Sequence, residues 1–281
     1  MPIYDQGYRP YEARQPLRRL RFWPITREAL RLVLARRAFL ILLAVSWLPL
    51  VVRAIQVYIV TRVPNVSQIF PVDARLFGDF LNQQIGLALI ITIFGGAGLI
   101  ANDLRTGAIL VYLSRPLTRR DYVLGKLGVL LALNLMVTLV PGLLLYAIAL
   151  SLAAEQFVKL ELAWIGPAIV LHSVVIALAL SLVALAISSL SKNARVAGFA
   201  FVGLLVGLEV AQAVLRNIYH RPESALLSLQ ADLRAIGAAL FGNTERWLRF
   251  PWPYAAMVLI AVAIACLATL RARVRAVEIV R

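Results

Sequence analysis

Six long apolar stretches follow one another along the chain, at about 38–60, 81–101, 122–152, 162–190, 196–215 and 253–270. Each is an unbroken run of helix length, not a short alternation of strand type, so each predicts a helix. About 20 apolar residues in a helix cross the roughly 30 Å hydrocarbon layer of a membrane, which makes six spans the natural reading. The third and fourth stretches exceed that length and are expected to tilt, kink or protrude. Pro141 is the candidate kink in the third. The sixth is the shortest; Pro251, Trp252, Pro253 and Tyr254 mark its start and Arg271 its end. The connections at 61–80 and 153–161 are too short to form domains. The connection 216–252 is longer, and within it Leu226, Leu229, Leu233, Ile236 and Leu240 repeat at helical spacing, with Ser228 and Asp232 turned away from that stripe. It predicts an amphipathic helix, either dipping into the outer membrane face or packed on the outer ends of the spans.

Composition agrees with the pattern. Only 15% of the 281 residues are charged and 61% are hydrophobic, with mean hydropathy +0.82. Soluble domains carry about 25% charged residues, and a soluble chain of this length has too much surface to hide so much apolar area. An ordinary soluble enzyme and a disordered chain are both excluded. The net charge is +15. Such a balance can mark a nucleic-acid binder, but here its distribution points to topology and no nucleic acid is expected as a partner. Twenty of the 29 Lys and Arg lie on one side of the six spans: nine within Arg9–Arg37, then Arg105, Arg115, Arg119, Arg120, Lys126, Lys192, Arg195, Arg271, Arg273, Arg275 and Arg281. That side is expected to be cytoplasmic and to hold both termini. Trp164, Trp247, Trp252 and Tyr254 fall near the opposite water–lipid boundary, where amphipathic rings prefer to sit. The Arg-rich first 37 residues lack a short apolar core with a small-residue cleavage site, so no cleavable signal peptide is expected. Cys266 is the single cysteine and reads as a small packing residue.

Familiar catalytic patterns are missing. There is no G-x-x-x-x-G-K-[ST] phosphate loop, no H-E-x-x-H pair, no Cys/His set with metal spacing and no G-x-S-x-G elbow. The informative segment runs from Ala101 to Lys126, between the second and third stretches. It predicts a short helix ended by Pro116, because the residue before a proline avoids the α region. Thr118 and Asp121 then fit a capping box that starts the third span. The short helix is either a solvated turn between two spans or a lever that a cytoplasmic partner can push.

This segment resembles the signature of the type-2 ABC exporter permeases, the transmembrane subunits of ATP-driven exporters. Their pattern has an acid, a Gly-Thr-Leu, a Leu-Leu-Ser-x-Pro block followed by a hydroxyl residue and Arg, and a closing Gly-Lys. Asp103 takes the acid position and Gly107 the glycine; Ser114, Pro116, Thr118 and Arg119 fit the block, and Gly125-Lys126 closes it. Ala108-Ile109 and Tyr112-Leu113 depart from the usual residues. The resemblance covers nearly the whole chain and implies an all-α, six-span permease domain over 24–281; the basic residues 1–23, rich in Arg, Tyr and Pro, fall outside the pattern and are expected to be flexible. It implies an N-terminal elbow helix along the inner leaflet, opened by Pro24 with Ile25, Ala29, Leu32 and Val33 on one face and Arg27 and Arg31 opposite, though Arg36 falls on the apolar side, and a partly re-entrant outer helix between spans five and six. The loop between spans two and three would be the coupling helix, at 103–115, seated on a separate ABC ATPase subunit through Asp103, Arg105, Gly107, Ser114, Arg115, Pro116, Thr118 and Arg119. Two ATPase copies and a second permease subunit, identical or not, would complete the complex. ATP and Mg would bind the ATPase, and this chain would carry no cofactor or metal.

Small and polar residues inside the spans are candidates for the path. Gly95 and Gly98 in the second stretch, and Gly203 and Gly207 in the fifth, would line the translocation path or a dimer interface, or else pack within one subunit. Glu209 would line the path or pair with Arg216. Asn134 and His172 read as hydrogen-bond partners between helices. The reading is therefore an export permease in a bacterial plasma membrane. A secondary transporter or channel, and a non-transporting anchor of a larger complex, are the alternatives.

Overall fold

The computed structural model describes residues 22–62, 72–108, 118–152, 162–219, 222–242 and 251–273. Every regular element among them is helical, and six helices are long and apolar enough to cross a membrane.

The first element, α1 (Trp23–Leu34), starts at a proline, whose missing N–H has no helical partner in the first turn anyway. It buries Ile25, Thr26 and Val33. Leu32, expected on that face, is exposed, and Thr26 takes a place in the stripe instead. Span one is α2 (Arg37–Ser46) followed by α3 (Leu48–Arg62), with a break at Trp47. Pro49 explains the break, since it cannot donate to the carbonyl one turn back. Hydrogen bonds to other spans stitch the joint. Gln84 Nε2 reaches the Ser46 carbonyl at 3.3 Å, and Trp47 Nε1 reaches the Met136 carbonyl at 3.1 Å.

Span two is α4 (Ala74–Gly96), capped by the Asp73 carboxylate, which accepts from the Arg75 and Leu76 amides. It begins seven residues before the predicted 81, because Asp79, Asn82, Gln83 and Gln84 dilute the apolar pattern of its first turns. It leads into a short helix, α5 (Ala101–Thr106). Span three is α6 (Arg119–Val137) and α7 (Leu139–Leu152), interrupted at Thr138. The break falls one turn before Pro141, where the missing N–H leaves the Val137 carbonyl without its helical donor. The predicted capping box is present: the Thr118 hydroxyl accepts from the Asp121 amide while the Asp121 carboxylate accepts from the Thr118 amide.

Span four, α8 (Ile165–Leu190), and span five, α9 (Ala194–Tyr219), are unbroken. A 3-10 turn (Pro222–Leu227) and α10 (Leu229–Leu240) precede span six, α11 (Trp252–Arg273). Span four is the axis of the bundle: 67% of its most apolar window is buried, against 56% for span two and only 11% for span five. Spans one, five and six therefore present apolar side chains outward, a surface suited to lipid or another subunit and not to water. Polar ties fix the centre. Thr92 Oγ1 donates to Asn134 Oδ1 at 3.0 Å, and Asn134 Nδ2 donates to Ser181 Oγ at 3.3 Å, joining spans two, three and four.

α10 differs from its expected posture. Ser228 and Asp232 do not turn away from the packed side; each is only 1% exposed. α10 packs against spans two, four and six, so Ser228 and Asp232 point into protein, while Arg234 is exposed. A helix packed against three others has no single polar face, and the stripe pattern alone cannot orient it.

Candidate functional site

The loop that joins spans two and three is held from three directions. Asp103, on α5, meets Lys126 Nζ at 2.7 Å and accepts a hydrogen bond from the Tyr122 hydroxyl at 2.8 Å. Lys126 and Tyr122 lie one turn apart on α6, with the ammonium 5.6 Å from the Tyr122 ring centre. The pair is nearly dry: the side chains are 16% and 6% exposed. A charge pair removed from water is held by its partner and by further hydrogen bonds, and Tyr122 supplies one. From span four, Ser188 Oγ accepts from the Ile100 and Ala101 amides at 3.2 and 3.1 Å and donates to the Ala97 carbonyl at 2.8 Å. One hydroxyl thus satisfies the backbone where span two bends into α5. From span five, the Ala194 Cβ lies 3.2 Å from where a Gly98 Cβ would stand.

Gly107 closes α5 in the left-handed conformation, φ +69°. The coupling helix expected at 103–115 is therefore not one helix. It starts earlier, at Ala101, and is broken at Gly107, a residue whose lack of Cβ permits that turn. Arg105 is exposed, so Asp103 faces the bundle while Arg105 faces away. Ser114, Arg115 and Pro116 lie outside the described residues. Thr118 is the helix cap, and Arg119 is exposed beside it.

The closing Gly125-Lys126 has two tasks. Lys126 holds Asp103, whereas Gly125 admits α1. A Cβ on Gly125 would stand 2.9 Å from the Ile25 Cβ, and one on Gly128 would stand 2.9 Å from Thr26 Oγ1. The Thr26 hydroxyl donates to the Gly125 carbonyl at 2.9 Å. The N-terminal helix and the loop are thus anchored to the same turns of span three.

The second constellation lies between spans two and five. A groove of about 440 Å³, open to the outside along Ile90, Val206, Val210 and Ala213, is lined by Gly86, Leu89, Ile90 and Ile93 of α4, by six residues of α9 from Val202 to Ala213, and by Gln230 of α10. Among the described residues, Glu209 is the only charged group on its wall. Its partner is not Arg216: Glu209 Oε1 accepts a hydrogen bond from the Ser228 hydroxyl, the N-cap of α10. Asp232 sits one turn further on, with neither carboxylate oxygen hydrogen-bonded among the described residues. Burial pushes its carboxyl up from 3.8 to about 7. His172 Nε2 contacts the Leu233 carbonyl at 3.0 Å, tying span four to α10. The four glycines divide. Gly95 packs against Leu133 and Phe39, and Gly98 against Asn102 and Ala194. Gly203 and Gly207 face open space among the described residues. The Ser188 hub and the Ser228–Glu209 bond have no local sequence signal; each joins residues far apart in the chain.

Six apolar helices long enough to cross a membrane, with only helices among the regular elements of the described residues and a braced loop after the second span, define a multi-pass membrane protein. The chain belongs to the ABC-2 family transporter proteins, whose family model matches residues 30–223, more than two thirds of its length. Proteins of this family are membrane subunits and not themselves ATPases. No curated protein matches the chain.

Proposed function

We propose that the chain is the permease subunit of an ATP-driven exporter, coupled to a separate ABC ATPase through the loop after span two. The observation that carries this reading is the brace on α5. A solvated turn between two spans has no need of a buried ion pair to span three, a hydroxyl hub from span four and a close contact with span five. Such a brace transmits force. Two ATPase subunits bind ATP and Mg, close on each other, and displace the loop. Span three follows through Lys126, span four through Ser188, and span five through Ala194. The groove between spans two and five then opens outward. Two permease subunits pair, with the open Gly203–Gly207 face of span five at their contact. The protein sits in a bacterial plasma membrane with both termini in the cytoplasm.

The test is co-expression with a candidate ABC ATPase, with Asp103→Ala and Arg105→Ala introduced separately and together. Arg105 faces away from the bundle, so its loss is expected to reduce ATPase co-purification. Asp103 faces inward, so its loss is expected to spare docking and abolish transport. Survival of both docking and transport in the double variant contradicts the proposal.

A further inference from the structure

We propose that the groove between spans two and five binds an amphiphilic cation, its apolar body against α4 and α9 and its positive centre on Glu209. This deepens the permease reading by naming a class of cargo, and it rests on that reading for whatever follows binding. The volume, about 440 Å³, falls within the range of about 300–1,000 Å³ found for small-molecule sites. The lining is aliphatic except for Glu209 and Gln230. That is the usual make-up of a ligand site: apolar walls with a few polar groups that orient.

The charge decides the class. Among the described residues, Glu209 has one hydrogen bond, from the neutral Ser228 hydroxyl, and no ion pair. An ionised carboxylate offers about four lone-pair sites, so most of its capacity remains for a ligand. A carboxylate held against apolar walls is stabilised by a cation far more than by a neutral donor. A neutral lipid tail would fill the walls and leave the carboxylate uncompensated, and an anion would be repelled.

The test uses two probes of nearly the same shape and opposite charge, tetraphenylphosphonium and tetraphenylborate. The full chain is placed in phosphatidylcholine nanodiscs, with empty discs as the partition control. Saturable phosphonium binding is expected, together with borate uptake no greater than in empty discs. This comparison needs no variant. Glu209→Gln keeps an acceptor for Ser228 and removes only the charge; it is expected to weaken phosphonium binding at least tenfold. Ala213→Phe narrows the groove beside Glu209, keeps the carboxylate, and is expected to weaken binding severalfold. The proposal is overturned by equal saturable binding of both probes, by no saturable phosphonium binding, or by unchanged affinity in Glu209→Gln. No ATPase is present in the assay. Failed binding with intact ATPase co-purification therefore removes the cargo class and leaves the permease reading standing.

Discussion

Asp103 and Lys126 are 23 positions apart and meet at 2.7 Å, shielded from water. Removing one member of such a pair leaves a buried charge without compensation, a loss of up to about 3–5 kcal/mol when the site is dry. Asp103→Ala and Lys126→Ala are each expected to lower the melting temperature in detergent, and the reciprocal swap Asp103→Lys with Lys126→Asp to recover part of the loss. Tyr122→Phe removes one hydrogen bond to a charged group, and a smaller loss of about 1.5–3 kcal/mol is expected. Asp232 gives a pH-dependent effect of the opposite sense. Its folded carboxyl is raised from 3.8 to about 7, so the folded state holds a proton that the unfolded state releases. Stability is full below about pH 4 and falls as the pH rises towards 7. Asp232→Asn is expected to melt like the wild type at pH 4 and several degrees higher at pH 8, measured by scanning calorimetry. The motif made Asp103, Gly125 and Lys126 visible in the sequence as a pattern. Their geometry was not visible, because an ion pair between helices depends on how those helices dock.

At the scale of elements, lipid does much of the specifying. A span must be apolar for about 20 residues whatever it packs against, so six spans can be read from composition alone. The same physics blurs their detail. Span two starts at Ala74, within a polar stretch, because its first turns pack on protein and not lipid. Ser228 and Asp232 were expected outside the packed face and are inside it for the same reason. The break before Pro141 and the start at Thr118 were read from a proline and a capping box, whereas the break at Trp47 beside Pro49 was not predicted. The turn at Gly107 was not, since a glycine permits the left-handed conformation without requiring it. Two substitutions test element docking. Thr118→Ala removes the cap of span three and is expected to cost about 1 kcal/mol of thermal stability. Gly125→Leu collides with Ile25 and is expected to lift α1, so that trypsin cuts at Arg27 and Arg31 faster than in the wild type.

The whole molecule has a packed half and an open half. Spans two and four are the core, while span five buries only Ala197, Phe201 and Leu205 of its 26 residues. That exposure, with the bare Gly203–Gly207 ridge, suits close approach of a second subunit. Gly207→Cys in a Cys266→Ser background is expected to cross-link into a dimer in membranes, read on a non-reducing gel. The central claim is that the brace ties ATP turnover to this bundle. It is tested most directly by the ATPase rate of a candidate ABC ATPase subunit in proteoliposomes, with and without this chain. The account expects the rate to rise severalfold with the wild-type chain and to return to that of the isolated ATPase when Asp103 and Arg105 are both alanine. A rate indifferent to this chain, or equally raised by the double variant, would contradict it.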